Sequence, residues 1–217
     1  TLPKARTQAL RFMDSDLVVF GTPVYAGRVP NVLLPYLNTM QGNGALAVPV
    51  VLFGNRDYDD ALIELRDILE NNGLHRILAK DRPDMKDMDI VDEFVRKICE
   101  KHKTDTLSHP IPVSGTPYPY RGYYTPRDRQ GTPVDIRKVK PLTNDRCNDC
   151  KHCAKVCPMG SISYENVREF TGICIKCGAC IKKCPKQAKY YEDAGYLYHQ
   201  HELEEGLTRR AENTLFI

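Results

Sequence analysis

The first part of the chain contains two short apolar runs that do not alternate with polar positions. Residues 17–20 and 48–53 are continuously hydrophobic apart from Pro49, and each run is followed by a glycine, Gly21 and Gly54. Continuous apolar runs of this length are typical of strands that are buried on both faces of a parallel sheet. The pattern therefore predicts two buried parallel strands, each of which ends in a loop.

Three amphipathic segments predict helices that follow these strands. Residues 32–40, 59–72 and 87–102 carry apolar side chains at helical spacing. Asp59 is the predicted N-cap of the second helix, and Gly73 is its predicted C-terminal glycine. Strands and helices in this order imply right-handed crossovers, so we expect an α/β fold with a doubly wound parallel sheet. The third helix is expected to bury Ile90, Phe94, Ile98 and Cys99.

The composition of the chain changes near residue 104. Seven of the 15 prolines lie between residues 110 and 141, and this density opposes both helices and sheet ladders. The cysteines follow, and a short charged segment ends the sequence. We predict an α/β domain (1–104), a proline- and tyrosine-rich linker (105–141), a cysteine-rich domain (142–192) and a C-terminal tail (193–217).

Eight of the nine cysteines lie between residues 147 and 184 and form an internal repeat. Each copy reads C-x2-C-x2-C-x3-C-P, and the copies are offset by 27 residues. Thiolates are the ligands that cubane iron–sulfur clusters prefer, and closely spaced cysteines can wrap three corners of a cube. Structural zinc sites use two separated ligand pairs, and disulfides are typical of exported chains, for which no leader is visible here.

The repeat resembles the small α+β module of bacterial ferredoxins that carry two [4Fe-4S] clusters. In that module the fourth cysteine of each motif ligates the other cluster, so the resemblance implies a crossed arrangement. The implied ligands of the first cluster are Cys147, Cys150, Cys153 and Cys184. Those of the second cluster are Cys174, Cys177, Cys180 and Cys157.

Two loops follow the predicted strands at the edge where open parallel sheets bind ligands. Their sequences are G-T-P-V-Y-A-G from Gly21 and G-N-R-D-Y from Gly54. They resemble the loops that flank the flavin ring of FMN in the flavodoxin family, which implies a flavodoxin-like fold. The alternative is a pair of turns with exposed tyrosines. The flavin-binding candidates are Thr22, Pro23, Tyr25, Gly27, Gly54, Asn55, Arg56 and Tyr58.

The resemblance to flavodoxins is incomplete at the phosphate group of FMN. Flavodoxins bind that phosphate with a Ser/Thr-rich loop after the first strand, and no [S/T]-x-T-G-x-[S/T] segment occurs in these 217 residues. The first two strands of the family also have no counterpart. A sheet without them would expose a long apolar edge, so we expect a longer gene product. Loss of FMN binding is the alternative.

Composition and charge narrow the choice of partners. The net charge of +3 is too small to indicate nucleic-acid binding, and no apolar run has the length of a membrane-spanning helix. We expect a cytoplasmic protein with no nucleic-acid partner and no membrane insertion, whereas its oligomeric state is not predicted. Five lysines near the cysteines are expected to form a solvated or docking face or to tune cluster potentials: Lys151, Lys155, Lys176, Lys182 and Lys183.

As a whole, the chain resembles flavodoxin–ferredoxin fusion proteins of anaerobic bacteria and archaea. Residues 120–129 of the linker and 195–199 of the tail also resemble that group. The resemblance implies an electron-transfer protein that couples FMN to one-electron clusters and serves redox partner proteins. The alternatives are an FMN-dependent reductase whose clusters feed a substrate site, and an iron–sulfur redox sensor. No acid–base pair identifies catalytic residues.

Overall fold

Two groups of residues make up the described part of the chain. The computed structural model describes residues 6–76, 78–80, 87–103, 111–212 and 214–216. One group consists of Thr125–Gly206 with the described residues before Ala9, and we call it the cysteine unit. The other consists of Ala9–Tyr124 and Leu207–Ile217, and we call it the sheet unit. The predicted linker is therefore divided between the two units.

The helices and strands follow in chain order. The strands are β1 (Leu17–Pro23), β2 (Leu46–Leu52), β3 (His75–Arg76), β4 (Leu78–Lys80), β5 (Leu142–Thr143), β6 (Lys189–Tyr190) and β7 (Leu215–Phe216). The helices are α1 (Leu34–Leu37), α2 (Ala61–Asn71), α3 (Asp87–Lys103), α4 (His152–Val156), α5 (Ala179–Lys182) and α6 (Ala194–Gly206). None of the helices in the described residues is long and apolar enough to cross a membrane.

The sheet unit is built on a parallel pair of strands. β1 and β2 pair in parallel over their whole length, from Leu17 opposite Leu46 to Pro23 opposite Leu52. β3 and β4 also lie parallel to β2. The mixed α/β class with parallel strands is thereby confirmed. β7 adds an antiparallel strand beside β4, so part of the predicted C-terminal tail belongs to this sheet.

The two central strands differ in how well they are buried. β2 buries Ala47, Val48 and Val51 in the core, as its continuous apolar run predicts. The expectation of burial on both faces is wrong for β1, where Val19 is 68% exposed and Leu17 is 51% exposed. β1 lies at the edge of the described sheet. Its side chains alternate between the core and solvent because only one of its faces is covered, although their sequence does not alternate.

α2 supplies much of the core of the sheet unit. It buries the apolar side chains Ala61, Leu62, Ile63, Leu65 and Leu69. Gly73 ends this segment at a φ of +78°, a left-handed conformation that glycine adopts without strain, as predicted. Asp59 is not the N-cap. Asp60 precedes the helix, and its carboxylate binds residues of the linker instead of the helix terminus.

α3 confirms part of the predicted helical face. Phe94 and Ile98 are buried, with exposed fractions of 7% and 6%. Ile90 and Cys99, which were also expected to be buried, are exposed. The covered stripe is narrow and short: Cys99 lies one position beyond Ile98, and the cover does not extend back one turn from Phe94 to Ile90.

Outside α6, the cysteine unit has little regular structure. β5 and β6 form a two-residue antiparallel ladder, with Leu142 opposite Tyr190 and Thr143 opposite Lys189. α4 and α5 each begin inside a cysteine motif, immediately after a residue in the left-handed conformation. The buried apolar cluster of this unit consists of Cys153, Ile162, Val167 and Cys180. Two of its four members are thus cysteines of the repeat.

Candidate iron–sulfur centres

The two cysteine motifs fold into the same backbone shape. In the first motif Asp149 and Lys151, which flank Cys150, have φ values of +56° and +61°. In the second motif Lys176 and Gly178 flank Cys177 with φ values of +56° and +69°. Non-glycine residues seldom adopt this conformation, and it is found mainly where function or tight turning requires it. The 27-residue sequence repeat is therefore also a repeat of backbone conformation.

Each left-handed pair turns the chain so that neighbouring cysteines point into one space. The middle cysteines, Cys150 and Cys177, are exposed, whereas Cys153 and Cys180 at the helix positions are buried. Since α4 and α5 start at residues 152 and 179, the third cysteine of each motif lies on the first turn of a short helix. The loop and the helix together carry three thiols around one cavity.

Two separate cavities receive the eight cysteines, four in each. Cavity I is lined by Cys147, Cys150, Cys153 and Cys184. Cavity II is lined by Cys157, Cys174, Cys177 and Cys180. In both cases three thiols come from one motif and the fourth comes from the other. The donor set in each cavity fits the four thiolates of a [4Fe-4S] cluster.

The arrangement does not suit a single metal ion. Among the described residues, no group of three His, Cys, Asp or Glu side chains is placed to bind one ion. A structural zinc site needs four ligands around one ion at short distances. In a four-iron cluster each cysteine binds a different iron, so the four sulfur atoms need not converge on one point.

Backbone N–H groups support the fourth cysteine of each motif. Ser161 donates its N–H to Sγ of Cys157 at 3.3 Å, and Ala188 donates to Sγ of Cys184 at the same distance. These donors are again 27 residues apart. Burial opposes ionisation of Cys184, but the backbone N–H groups of neighbouring residues lower its pKa overall. Such donors favour the thiolate, which is the form that binds iron.

The surroundings of the two buried cysteines instead disfavour the thiolate. Burial raises the pKa of Cys153, and burial raises the pKa of Cys180 to about 11. A thiolate at either position needs a compensating positive charge, which iron supplies when a cluster is bound.

The two cavities differ in their charged neighbours. Cavity I is lined by Lys151, Lys186 and Lys189 as well as by its cysteines. Cavity II has no charged residue in its lining, which is instead apolar and aromatic apart from Ser161 and the cysteines. Its other lining residues are Pro158, Met159, Ile162, Phe170, Ile173, Ile175, Gly178 and Tyr191.

The predicted lysines are placed unequally around the two cavities. Lys151 lines cavity I and forms an ion pair with Asp149 at 2.6 Å. Lys176 donates to the carbonyl oxygens of Arg137 and Cys174. The exposed members of the set are Lys155, Lys182 and Lys183. The burial of Lys189 cannot be predicted from the sequence, because a lysine in a short polar and aromatic segment carries no sign that it is buried.

The flavin candidates lie at the carboxyl end of β1 and β2. The two loops are neighbours, since Val24 donates its N–H to the carbonyl oxygen of Leu52 at 2.8 Å. Thr22 is buried, Pro23 ends β1, and Tyr25 exchanges backbone hydrogen bonds with Arg28. The structure thus brings together the two loops that the sequence singled out.

Several of these candidates already contact other parts of the sheet unit. Arg56 forms an ion pair with Asp59, and its guanidinium lies 4.7 Å from the ring centroid of Tyr124. Asn55 donates to the carbonyl oxygen of Leu207, and the ring of Tyr58 lies 5.6 Å from that of Phe53. A Cβ atom at Gly27 would lie 2.1 Å from Oδ2 of Asp59, whereas Gly54 faces open space.

Residues 114–124, which we call the strap, pack against the same loop and against α2. Asp60 accepts hydrogen bonds from the backbone N–H groups of Thr116 and Arg121, both at 2.8 Å. Tyr123 donates its hydroxyl to the carbonyl oxygen of Val29 at 2.7 Å, and Tyr124 donates its N–H to that of Ala26. This part of the predicted linker is therefore attached along the candidate flavin loop.

The ion pair between Arg28 and Glu64 also contacts the strap. Arg28 binds Glu64 through two hydrogen bonds of 2.8 and 2.6 Å and also donates to the carbonyl oxygen of Arg121. The hydrogen bond to Glu64 raises the pKa of Arg28, although burial opposes this. Burial raises the pKa of Asp60, but the N–H groups of Thr116 and Arg121 outweigh burial and lower it.

Comparison with known proteins identifies the cysteine region. Residues 146–189 match the 4Fe-4S dicluster domain family. The pyruvate synthase subunit PorD of Methanothermobacter marburgensis is 40% identical over 53 residues, which cover 24% of this chain and 64% of that protein. The chain therefore spans less than two thirds of this relative's length. The ferredoxin-type domain and its iron–sulfur clusters are confirmed, and neither match demonstrates a flavodoxin fusion or FMN.

Proposed function

We propose that this chain is an electron-transfer protein with one [4Fe-4S] cluster in cavity I and a second in cavity II. The observation that carries the proposal is the crossed lining of the cavities. Each holds three cysteines of one motif and the last cysteine of the other. Such a crossing is typical of two-cluster ferredoxins.

The clusters supply one-electron redox chemistry when they are bound, and the chain supplies their surroundings. Cys150 and Cys177 are exposed, so each cavity opens toward solvent at one ligand. An exposed edge of this kind lets a redox partner approach closely. The name of the similar protein makes it a subunit of pyruvate synthase, which supports a protein oxidoreductase as the partner of this chain.

Iron analysis of anaerobically purified protein tests this function. Two four-iron clusters require about eight irons and about eight inorganic sulfides per chain. Electron paramagnetic resonance of the dithionite-reduced protein should show two interacting one-electron centres. Stoichiometric zinc without sulfide would contradict the proposal. A chain with eight irons that exchanges no electrons with dithionite would also contradict it.

We propose flavin binding at the carboxyl end of β1 and β2 as a second function, within a flavodoxin-like domain. The adjacency of the two candidate loops and the open space at Gly54 favour it. The candidate residues correspond to ring contacts in flavodoxins, and the flavodoxin-type phosphate loop is not among these 217 residues. Ring recognition alone predicts equal affinity for FMN and riboflavin.

Titration of the purified protein with each flavin tests this second function. We expect quenching of flavin fluorescence with equal dissociation constants for FMN and riboflavin. The variant Gly54→Leu, which fills the open space at that loop, should weaken both equally. Absence of quenching, or quenching that Gly54→Leu leaves unchanged, would contradict flavin binding at this edge.

A further inference from the structure

One buried cation lies beside the cysteines of both motifs. Lys189 is only 3% exposed, and its position on β6 is fixed by pairing with Thr143. Lysine is rarely buried to this degree unless its charge has a partner. Among the described residues no carboxylate forms an ion pair with it, and its Nζ atom donates to the carbonyl oxygen of Val167 at 2.6 Å.

The other contacts of Lys189 place its charge near both cavities. Lys189 and Val167 line cavity I. Its Nζ atom also lies 5.3 Å from the ring centroid of Phe170, which lines cavity II.

The two cavities, however, present different groups to the charge of Lys189. Lys189 belongs to the lining of cavity I, whereas the ring of Phe170 is the group that faces it on the side of cavity II. Cavity I also has Lys151 and Lys186 in its lining, whereas no described lysine or arginine lines cavity II and Lys176 reaches only the carbonyl oxygen of Cys174 there. The lining of cavity I is therefore the more positive of the two, and its one buried lysine is Lys189.

We propose that the buried ammonium of Lys189 is the positioning charge that makes the cluster of cavity I the preferred site of the first electron. The inference rests on the proposed electron-transfer function. Iron–sulfur clusters bound by four thiolates are anionic, and one-electron reduction makes them more negative by one charge. A fixed positive charge in a low-dielectric site stabilises the reduced form more than the oxidised form.

The electron step is balanced by an external reductant. Dithionite, as the one-electron donor, is oxidised and supplies one electron per chain, and no bond to the protein forms or breaks. At one reducing equivalent, the electron distributes between the two clusters according to their potentials. The observable is the ratio of chains reduced in cavity I to chains reduced in cavity II.

Two neutral substitutions test the role of Lys189. Lys189→Met removes the charge and keeps most of the apolar volume, and Lys189→Gln retains an N–H donor for Val167. We expect both to lower the reduction ratio by on the order of tenfold, while Lys189→Arg preserves it. The matched control is Lys155→Met, which removes an exposed lysine on α4 and should leave the ratio unchanged.

Iron content is measured first in every variant, and the ratio is then read by electron paramagnetic resonance. The spectrum of a Cys157→Ala protein, which is expected to keep only the cluster of cavity I, assigns the signals. Eight irons with an unchanged ratio in Lys189→Met and Lys189→Gln would overturn this inference and leave the proposed function intact. Fewer than eight irons in the unmodified chain would instead overturn the proposed function.

The unmodified protein provides a second test that does not depend on the stability of the variants. Salt screens exposed charges strongly and buried charges weakly. If Lys189 sets the preference, the ratio favours cavity I and persists from low to high salt. A ratio that favours cavity II would overturn the inference. A ratio that falls to equality at high salt would also overturn it, because the preference would then come from exposed charges.

Discussion

The cysteine unit and the sheet unit hold their folds by different means. The main buried cluster of the sheet unit has eleven apolar members, which include Leu62, Leu65 and Leu69 of α2. The buried cluster of the cysteine unit has four members among the described residues, and two of them are Cys153 and Cys180. A core this small cannot stabilise a unit of that length by hydrophobic burial alone. The comparison indicates that the cysteine unit depends on its clusters, whereas the sheet unit does not.

Removal of the clusters should give the largest effect and the sharpest contrast. Metal-binding free energy is folding free energy in small metal-dependent domains, so iron chelation under reducing conditions should unfold the cysteine unit. In hydrogen exchange, the amides of Ser161 and Ala188 should then exchange as in an unfolded chain, while those of Leu65 and Leu69 stay protected. Protection that survives at Ser161 and Ala188 without iron would contradict the comparison.

Truncation of a core side chain should give the next largest effect, confined to the other unit. Leu65 is fully buried, and Leu65→Ala should lower the free energy of unfolding of the sheet unit by about 2–5 kcal/mol. Urea titration followed by hydrogen exchange at α2 measures this change. Iron content should stay at the unmodified level, because the cysteine unit does not use this core.

Val95→Ala is the matched control for this truncation, since Val95 is 51% exposed on α3. It should change the free energy of unfolding by no more than about 0.5 kcal/mol. A loss of iron in Leu65→Ala that is absent from Val95→Ala would show that the two units are not independent in stability.

Weakening the attachment of the strap should lower the stability of the sheet unit by a smaller amount. Asp60→Asn replaces the charged acceptor of the Thr116 and Arg121 amides with a neutral group. We expect the free energy of unfolding of the sheet unit to fall by about 1–3 kcal/mol. Amide exchange at those two residues should become faster. Asp14→Asn, an exposed aspartate in the same unit, is the control. Unchanged exchange at Thr116 and Arg121 would mean that Asp60 does not hold the strap.

The pH dependence of this attachment should be the smallest effect. The pKa of Asp60 is lower in the folded chain than its usual value of about 3.9, so the folded state binds fewer protons near that pH. The stability that Asp60 contributes is present above pH 4 and declines as the pH falls through its folded pKa. The free energy of unfolding should fall less on acidification in Asp60→Asn than in the unmodified chain. An equal fall in both proteins would contradict the role of the Asp60 carboxylate in holding the strap.

The sequence predicted the features that depend on local spacing. The ligand repeat could be read directly because thiolate chemistry requires cysteines at short intervals, and Gly73 could be read because its turn requires a positive φ. The burial of Phe94 and Ile98 followed from helical periodicity. In each case the residues that meet the physical requirement are close together in the sequence.

Features that depend on distant contacts could not be predicted in this way. Lys189 is buried because segments around Val167 and Phe170 cover it, and Asp60 binds a strap more than 50 residues away. The exposure of β1 depends on which segments cover its two faces, and the pairing of β7 with β4 depends on the C-terminal segment returning to the sheet. Cys99 was placed in the core because periodicity marks the centre of a helical face better than its limits.

The crossed ligation is the central claim, and differential alkylation of Cys157→Ala tests it most directly. Native anaerobic protein is treated with iodoacetamide and analysed by mass spectrometry, with Cys99→Ala as the control that removes the exposed cysteine on α3. Loss of the cluster in cavity II should make Cys174, Cys177 and Cys180 reactive while Cys147, Cys150 and Cys153 stay protected. Reaction at Cys147, Cys150 and Cys153 with protection of the second motif would contradict the account.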